Sequence, residues 1–157
     1  MIRVGQGFDV HAFSADPGRR LMLAGIEFPG EPGLLGHSDA DVVAHAVSDA
    51  ILGAAGLADL GQQFPDTSPE WEGADSISLL AKVVVLAGEH RWTVGNVDVT
   101  VICEAPRLAP RREAMAARLA EVCSAPVSVK GKRAEGLGAI GRSEGIAAIA
   151  VALLEST

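Results

Sequence analysis

Asp9 and His11 lie two residues apart in a stretch typical of extended chain, so their side chains project to the same side of the backbone. His45 falls on a predicted helix farther along the chain. One aspartate and two histidines suit a catalytic Zn²⁺, which takes three protein ligands and leaves a fourth position open. The spacing alone also fits a chance Asp-x-His pair and a helical histidine at the surface or in the core.

The neighbourhood of these residues strengthens the metal hypothesis. Three of the four histidines, His37 among them, fall in the first third of the chain together with several aspartates. Asp49 lies one helical turn beyond His45 and is expected to orient that imidazole by accepting a hydrogen bond. Asp39 fits a solvated helix face, and His90 fits a surface position outside the cluster.

A second candidate site is the densest basic stretch of the chain, residues 130–136, with the sequence Lys-Gly-Lys-Arg-Ala-Glu-Gly. It follows a predicted strand and enters a glycine-rich loop, so it could hold phosphates by charge and by backbone N–H groups. Glu135 in this setting could serve a hard cation such as Mg²⁺. The alternative interpretation is a solvated loop of mixed charge.

The elements that must position these residues follow from apolar periodicity and turn signals. Strands are predicted at residues 2–4, continuing as extended chain to residue 11, and at 21–28, 96–103, 127–130 and 146–154. Helices are predicted from 38 or 39 to about 55, from 75 or 76 to about 88, and at 111–123, with loops at 29–36, 64–69 and 136–145. Because strands and helices interleave, the predicted class is α/β, in the α+β two-layer sense.

The helix that carries His45 is expected to be amphipathic. Asp41, His45 and Asp49 form a polar stripe opposite its apolar residues. Ser38 is the expected N-cap, with Asp41 adding a negative charge in the first turn, and Gly56 is the expected end. The His45 side chain is therefore predicted to face away from the apolar side of the helix.

Composition limits the class of protein. The 157 residues suit one domain, residues 1–157, and 48% hydrophobic with 21% charged residues is typical of a globular chain. A net charge of −7 disfavours nucleic acid and anionic membranes as partners. The longest apolar run, residues 146–154, is too short to span a bilayer, and residues 1–7 lack a signal-peptide pattern. Cys103 and Cys123 fit free thiols, so a reducing, cytoplasmic location is expected.

Six segments taken together resemble one known family, the 2-C-methyl-D-erythritol 2,4-cyclodiphosphate synthases. They are residues 7–11 (GFDVH), 36–42 (GHSDADV) with His45, 59–61 (DLG), 64–67 (FPDT), 95–98 (GNVD) and 141–145 (GRSEG). They follow the family's order, and the similarity runs across nearly the whole chain.

The resemblance implies a zinc-dependent lyase of non-mevalonate isoprenoid biosynthesis. Such an enzyme cyclises 4-diphosphocytidyl-2-C-methyl-D-erythritol 2-phosphate and releases CMP. The implied fold is a mixed β-sheet packed against helices, in a homotrimer whose sheets face the three-fold axis. The cytidine diphosphate substrate would lie between subunits, with one Zn²⁺ per subunit and a second divalent cation, Mg²⁺ or Mn²⁺, on its diphosphate.

The same resemblance implies roles for individual residues. The zinc ligands are Asp9, His11 and His45, and the catalytic residues are Glu135, as ligand of the second cation, Asp49 and Lys132. The implied substrate contacts are Asp9, His11, His37, Ser38, Asp59, Gly61, Phe64, Asp66, the cytidine loop Cys103, Glu104, Ala105, Pro106, Arg107, Leu108 and Ala109, the diphosphate segment Lys132, Arg133, Ala134 and Glu135, and Arg142 near the trimer axis.

This chain departs from the family pattern at two places. Arg133 stands where many members carry Thr, so it either adds charge to the phosphate site or points away from it. Ala139 and Ile140 replace a segment that bears an aromatic residue near the trimer axis in some members.

Two other functions remain compatible with the residues. One is a zinc-dependent phosphoesterase or nucleotide hydrolase, in which metal-bound water would attack the substrate. The other is a trimeric nucleotide-binding module without turnover, which the presence of all the implied metal ligands disfavours. The product distinguishes the two enzymes, since a cyclase releases CMP and a cyclic diphosphate whereas a hydrolase releases a linear product.

Overall fold

The computed structural model describes residues 1–156. Six strands and five helices follow one another along the chain. The strands are β1 Ile2–Ala12, β2 Met22–Leu23, β3 Ile26–Glu27, β4 Trp92–Ile102, β5 Val127–Lys132 and β6 Gly145–Ser156. The helices are α1 Val42–Ala55, α2 Leu60–Gln63, α3 Ser76–Glu89, α4 Arg112–Cys123 and α5 Gly138–Gly141, with a 3₁₀ turn at Pro69–Trp71.

Four strands form one mixed sheet in the order β1-β6-β4-β5. β6 is antiparallel to both β1 and β4, whereas β4 and β5 are parallel. β1, β4 and β5 therefore run in the same direction and end at the same end of the sheet. Helix α1 packs on β1 and β6, α4 packs on β5, and α3 packs against both α1 and β4. The predicted mixed sheet covered by helices is confirmed.

The first strand lies unusually close to α1 because two of its residues have no side chain. A Cβ atom at Gly5 would come within 2.0 Å of the Ala50 carbonyl oxygen, and one at Gly7 within 1.9 Å of the Ala46 carbonyl oxygen. Side chains alternate along a strand, so Asp9 and the residue two positions beyond it share this helix-facing side. The close approach brings them over the first turn of α1.

The start of α1 differs from the sequence prediction. Ser38 is not the N-cap; Asp41 is, and its carboxylate accepts hydrogen bonds from the backbone N–H groups of Val43 and Ala44. The same carboxylate accepts from residues 24 and 25 in the β2–β3 turn, at 2.8 and 2.6 Å. Asp41 is completely buried. The predicted polar stripe is therefore wrong at this residue, because the helix is enclosed by the sheet, α3 and the β2–β3 hairpin.

The other main elements agree with the sequence predictions in type and differ at their limits, whereas the short helices α2 and α5 were not predicted. The last apolar run is a strand, as predicted, and α3 begins after an Asp75 cap. The predicted loop 136–145 contains the short helix α5, and the extended piece 21–28 is a small hairpin. Cys103 and Cys123 are free and buried. Within residues 1–156, none of the helices is both long and apolar enough to cross a membrane.

The sheet has one face without helices, and that face is apolar along β1 and β6. Phe8 and Val10 on β1 alternate with the helix-facing residues and are 53% and 49% exposed. Ile149 is paired with Phe8, and Val151 lies two residues farther along β6; both are also exposed. Exposed apolar patches are common at interaction sites.

Candidate metal centre and phosphate-binding loops

Three side chains from two elements meet at one point. The Asp9 Oδ2 atom lies 3.0 Å from His11 Nε2 and 2.9 Å from His45 Nδ1. The two histidine nitrogens are 3.2 Å apart. Asp9 and His11 lie on the same side of β1 because side chains alternate along a strand. His45 lies in the first turn of α1, and α1 packs closely on β1 because Gly5 and Gly7 have no side chains.

The hydrogen bond of His11 Nδ1 determines whether the other ring nitrogen, Nε2, presents a lone pair to the cluster. His11 Nδ1 lies 2.7 Å from the Leu35 carbonyl oxygen, which can only accept a hydrogen bond. In the neutral ring, Nδ1 therefore carries the proton and donates it, which leaves the Nε2 lone pair directed at Asp9 and His45. Burial opposes ionisation of Asp9, but its hydrogen bonds and charge interactions with the two histidines outweigh burial and hold the pKa of this carboxyl well below its usual range.

The donor set fits a zinc ion. These three atoms are the one group of three or more such donors among the described residues that lies close enough together to bind a metal. Ligands about 2.0–2.1 Å from a tetrahedral Zn²⁺ are roughly 3.3 Å apart. The observed separations, between 2.9 and 3.2 Å, are near that value. One carboxylate and two imidazoles converge here beside the adjacent cleft, and they would be the protein ligands of such an ion.

A cleft of about 460 Å³ opens beside the three donors. Its wall includes Phe64 and Trp71, whose rings contact each other edge-on with centroids 5.0 Å apart. His37 is held by the Ser68 carbonyl oxygen, 3.1 Å from its Nε2 atom. The residues of the cleft that the sequence had predicted for the site are Asp9, His11, His37, Ser38, His45, Asp49, Gly61, Phe64 and Asp66.

Two predicted residues around this cleft have other contacts. Asp49 lines the cleft, but its Oδ1 atom accepts from the Leu60 backbone N–H at 2.7 Å. The predicted Asp49–His45 hydrogen bond is wrong for this structure, because both His45 nitrogens have other partners. Burial raises the pKa of Asp49. Asp59 caps α2 through the Gln62 N–H and does not line the cleft.

A second, smaller cavity of about 250 Å³ lies between the loop after β4 and the end of β5. Glu104 joins the two segments: its Oε2 atom accepts from Arg133 at 2.8 Å and its Oε1 atom accepts from the Ala134 N–H at 2.8 Å. The hydrogen bond from Arg133 is the largest cause of a lowered pKa at Glu104. The predicted residues that line this cavity are Cys103, Glu104, Pro106, Arg107, Leu108, Ala109, Lys132 and Arg133.

The remaining predicted residues of this region lie outside the cavity wall. Ala105 precedes a cis peptide bond to Pro106. Glu135 is exposed, with a left-handed backbone conformation at φ 54°. Arg142 is exposed and pairs with Glu144 at 2.6 Å.

The two cavities lie at opposite edges of the sheet. β1, at one edge, carries Asp9 and His11, and β5, at the other, ends at Lys132. Three strand spacings separate these edges, or roughly 14 Å, and no residue lines both cavities. Both cavities are at the end of the sheet where β1, β4 and β5 finish, and they are separate within a single chain.

Sequence reasoning missed two side chains that hold the metal cluster. Ser76, completely buried at the start of α3, lies 2.8 Å from His45 Nε2. Its hydroxyl also contacts the Asp39 carboxylate, which the sequence had assigned to a solvated face. A serine after an Asp75 cap is an ordinary helix start, so only the packing of α3 on α1 shows its contact with His45.

Comparison with known proteins gives consistent matches over the whole chain. The profile of the YgbB family matches residues 2–155. The chain is 55% identical over 156 residues to the "Bifunctional enzyme IspD/IspF" of Anaeromyxobacter dehalogenans, a match that covers 98% of this chain and 40% of that protein. It is 54% identical over 157 residues to the 2-C-methyl-D-erythritol 2,4-cyclodiphosphate synthase of Halalkalibacterium halodurans, with 98% and 99% covered.

A solved structure has the same fold. The CDP complex of IspF from Plasmodium falciparum is similar to this chain with a TM-score of 0.85 and 33% identity, over 99% of this chain and 97% of that one. The chain spans 40% of the length of the bifunctional relatives.

Proposed function

The chain belongs to the YgbB family, and from that premise we propose that it is a 2-C-methyl-D-erythritol 2,4-cyclodiphosphate synthase. Its substrate would be 4-diphosphocytidyl-2-C-methyl-D-erythritol 2-phosphate, and its products the cyclic diphosphate and CMP. The observation that carries the proposal is the convergence of Asp9, His11 and His45 beside a cleft, in a chain 54% identical to a synthase of that name.

The proposed reaction is intramolecular. An oxygen of the 2-phosphate attacks the β-phosphorus, a new P–O bond closes the ring, and the bond to the bridging oxygen breaks so that CMP leaves with the electron pair. Phosphoryl transfer of this kind depends on positioning and charge neutralisation rather than on a protein nucleophile. The cleft beside His37, Ser38 and Asp66 would hold the folded erythritol phosphate so that its two ends meet.

Different charged groups of the chain would bind different phosphates of the substrate. When bound to Asp9, His11 and His45, Zn²⁺ supplies positive charge to a phosphate oxygen. Lys132 would contribute charge at the diphosphate, and Glu135 would hold the second divalent cation, Mg²⁺ or Mn²⁺. Because the P. falciparum relative is described as a CDP complex, we place the cytidine diphosphate group in the cavity of residues 103–109 and Lys132.

We also propose a homotrimer with composite active sites. The half-site of β1 and the half-site of β5 lie at opposite edges of one sheet, so a neighbouring chain must bring them together. The open sheet face with Phe8, Val10, Ile149 and Val151 exposed would supply the apolar contact along a three-fold axis. Sheets that face the axis would place the β1 edge of one subunit beside the β5 edge of the next.

Incubation of the purified protein with the cytidyl substrate tests the proposed activity. We expect CMP and the cyclic diphosphate, and we expect a chelator to stop the reaction and added Zn²⁺ with Mg²⁺ to restore it. A linear hydrolysis product would instead identify a phosphoesterase. Binding of CDP without any product would identify a nucleotide-binding module.

A further inference from the structure

On the side opposite Asp9 and His11, His45 contacts Ser76, which is buried, and Ser76 contacts Asp39, which is partly buried. We infer that Ser76 and Asp39 are positioning residues that direct the lone pair of His45 Nδ1 toward the metal and thereby set metal affinity. The inference rests on the metal centre proposed above. It adds two residues from outside the ligand set, one from the loop before α1 and one from the first turn of α3.

The contacts form a continuous chain of hydrogen bonds. His45 Nε2 lies 2.8 Å from the Ser76 hydroxyl, which in turn contacts the Asp39 carboxylate. That carboxylate is itself held by backbone donors, since its Oδ2 accepts from the Ser76 N–H at 3.2 Å and its Oδ1 from the Asp41 N–H at 3.1 Å. Ser38 completes the group, with its hydroxyl 3.3 Å from that of Ser76.

Counting protons fixes the direction of the bond between Ser76 and Asp39. An ionised carboxylate can only accept, so the Ser76 hydroxyl must donate its one proton to Asp39. The Ser76 oxygen is then left as an acceptor toward His45. The Ser38 hydroxyl also lies 3.2 Å from His45 Nε2, but Ser76 is the nearer partner at 2.8 Å. The arrangement therefore favours a proton on Nε2 that is donated to Ser76, and it leaves the Nδ1 lone pair for the cluster.

The opposite arrangement would compete with the metal. The Asp9 carboxylate lies 2.9 Å from His45 Nδ1, so a neutral ring without an acceptor at Nε2 would place its proton on Nδ1 and donate it to Asp9. A proton there would have to leave before an ion could bind. Ser76 and Asp39 oppose this state by offering a buried acceptor at the other nitrogen.

Zinc affinity separates this role from a merely structural one. For Ser76→Ala we expect zinc to bind roughly 10–100-fold more weakly, the usual effect of losing a partner of a metal-bound histidine. Ser48→Ala is the matched control, since Ser48 is an equally buried serine on α1 whose hydroxyl donates to the Ala44 carbonyl oxygen and not to His45. The measurement is chelator competition on folded protein, as judged by circular dichroism.

A measurement on the unaltered protein keeps the test independent of folding defects. In the zinc-loaded wild-type protein, the proton on His45 Nε2 should give a downfield NMR signal that exchanges slowly with water. An unprotected proton at this position, or equal zinc affinity of folded Ser76→Ala and the wild type, would overturn the inference. If the wild type itself takes up no zinc, the metal centre of the proposed function fails instead.

Discussion

At the scale of single residues, the arrangement of Asp9, His11 and His45 requires a proton or a cation between their facing atoms. Asp9, His11 and His45 present acceptor atoms to one another at hydrogen-bond distance, and the outer nitrogen of each histidine is engaged by a group that holds the ring in place. Three acceptors cannot satisfy one another without a proton or a metal between them. The cluster therefore favours a bound cation when its histidines are neutral.

Replacing His45 by Ala tests whether the three side chains bind zinc. We expect zinc content to fall from about one ion per chain to a small fraction, because two ligands hold Zn²⁺ poorly. His90→Ala is the control, as His90 is an exposed histidine at the end of α3 whose ring contacts the Leu86 carbonyl oxygen. Full zinc occupancy of folded His45→Ala protein by elemental analysis would contradict the assignment.

Arg133 also belongs to the residue scale, because its partner decides its role. The sequence left open whether it adds charge to the phosphates or points away. In the structure it donates from Nε and from a terminal nitrogen to Glu104 Oε2, at 3.1 and 2.8 Å, and so joins the loop after β4 to the end of β5. Its charge is already shared with a carboxylate before any phosphate arrives.

A double-mutant cycle on Arg133 and Glu104 follows from this contact. We expect Arg133→Ala and Glu104→Gln each to raise KM more than they lower kcat, because the cavity wall loses the ion pair that joins its two segments. The double variant should raise KM by less than the product of the two single effects, since both remove one interaction. Added salt should narrow the difference in KM between Arg133→Ala and the parent protein. Independent, multiplicative effects would instead indicate that Arg133 acts on the phosphates alone.

At the scale of elements, the contact between β1 and α1 positions the metal site. The strand and helix meet without side chains at Gly5 and Gly7, and this approach places Asp9 and His11 over His45. An added methyl group at Gly7 would lie within 1.9 Å of a backbone oxygen, so the strand would have to move away from the helix.

Gly7→Ala should therefore be strongly destabilising. We expect a loss of about 3 kcal/mol or more in the free energy of unfolding, from overpacking against backbone, and a melting temperature lower by roughly 6–12 °C. Gly88→Ala in α3 is the control, because nothing lies within 4 Å of a Cβ atom there. That change should be neutral or stabilising by about 0.5 kcal/mol. Thermal denaturation of the two variants side by side measures the difference, and equal melting temperatures would show that β1 can shift at no cost.

At the scale of the whole molecule, the two cavities are separated by the width of the sheet. The metal ligands and Lys132 lie at opposite edges of the sheet, and the open face between those edges is apolar. Assembly of the proposed trimer would cover the apolar face and would also complete each site with residues of a neighbour.

Subunit mixing tests the proposed assembly. His45→Ala and Glu135→Gln proteins should each be nearly inactive alone. After subunit exchange at equal amounts, about a quarter of the sites should contain both intact halves and regain activity, since each half is drawn at random from two kinds of subunit. A mixture that stays inactive, or a monomer in light scattering at micromolar concentration, would contradict composite sites.

Features that depend on near neighbours in the chain could be predicted from the residues alone. Alternation placed Asp9 and His11 on one side of a strand, apolar spacing predicted the helix that carries His45, and ordered motifs indicated the family. The type of each main element was also predicted, because periods of two and 3.6 residues are visible within a short window. Their limits shifted by a few residues, as they did at β4 and β5.

The pairing of groups that are distant in the chain depends on the packing of helices and strands, and it could not be predicted. Ser76 and Asp39 are 37 residues apart in the chain, and Asp9 and His45 are 36 apart. Asp41 caps α1 from inside the core because the β2–β3 hairpin packs over it, where its sequence position had indicated a polar stripe. Local patterns carry no information about such contacts, since hydrogen-bond partners are set by the packing of whole helices and strands. The same reason explains why the two half-sites lie at opposite edges of the sheet, which follows from strand order alone.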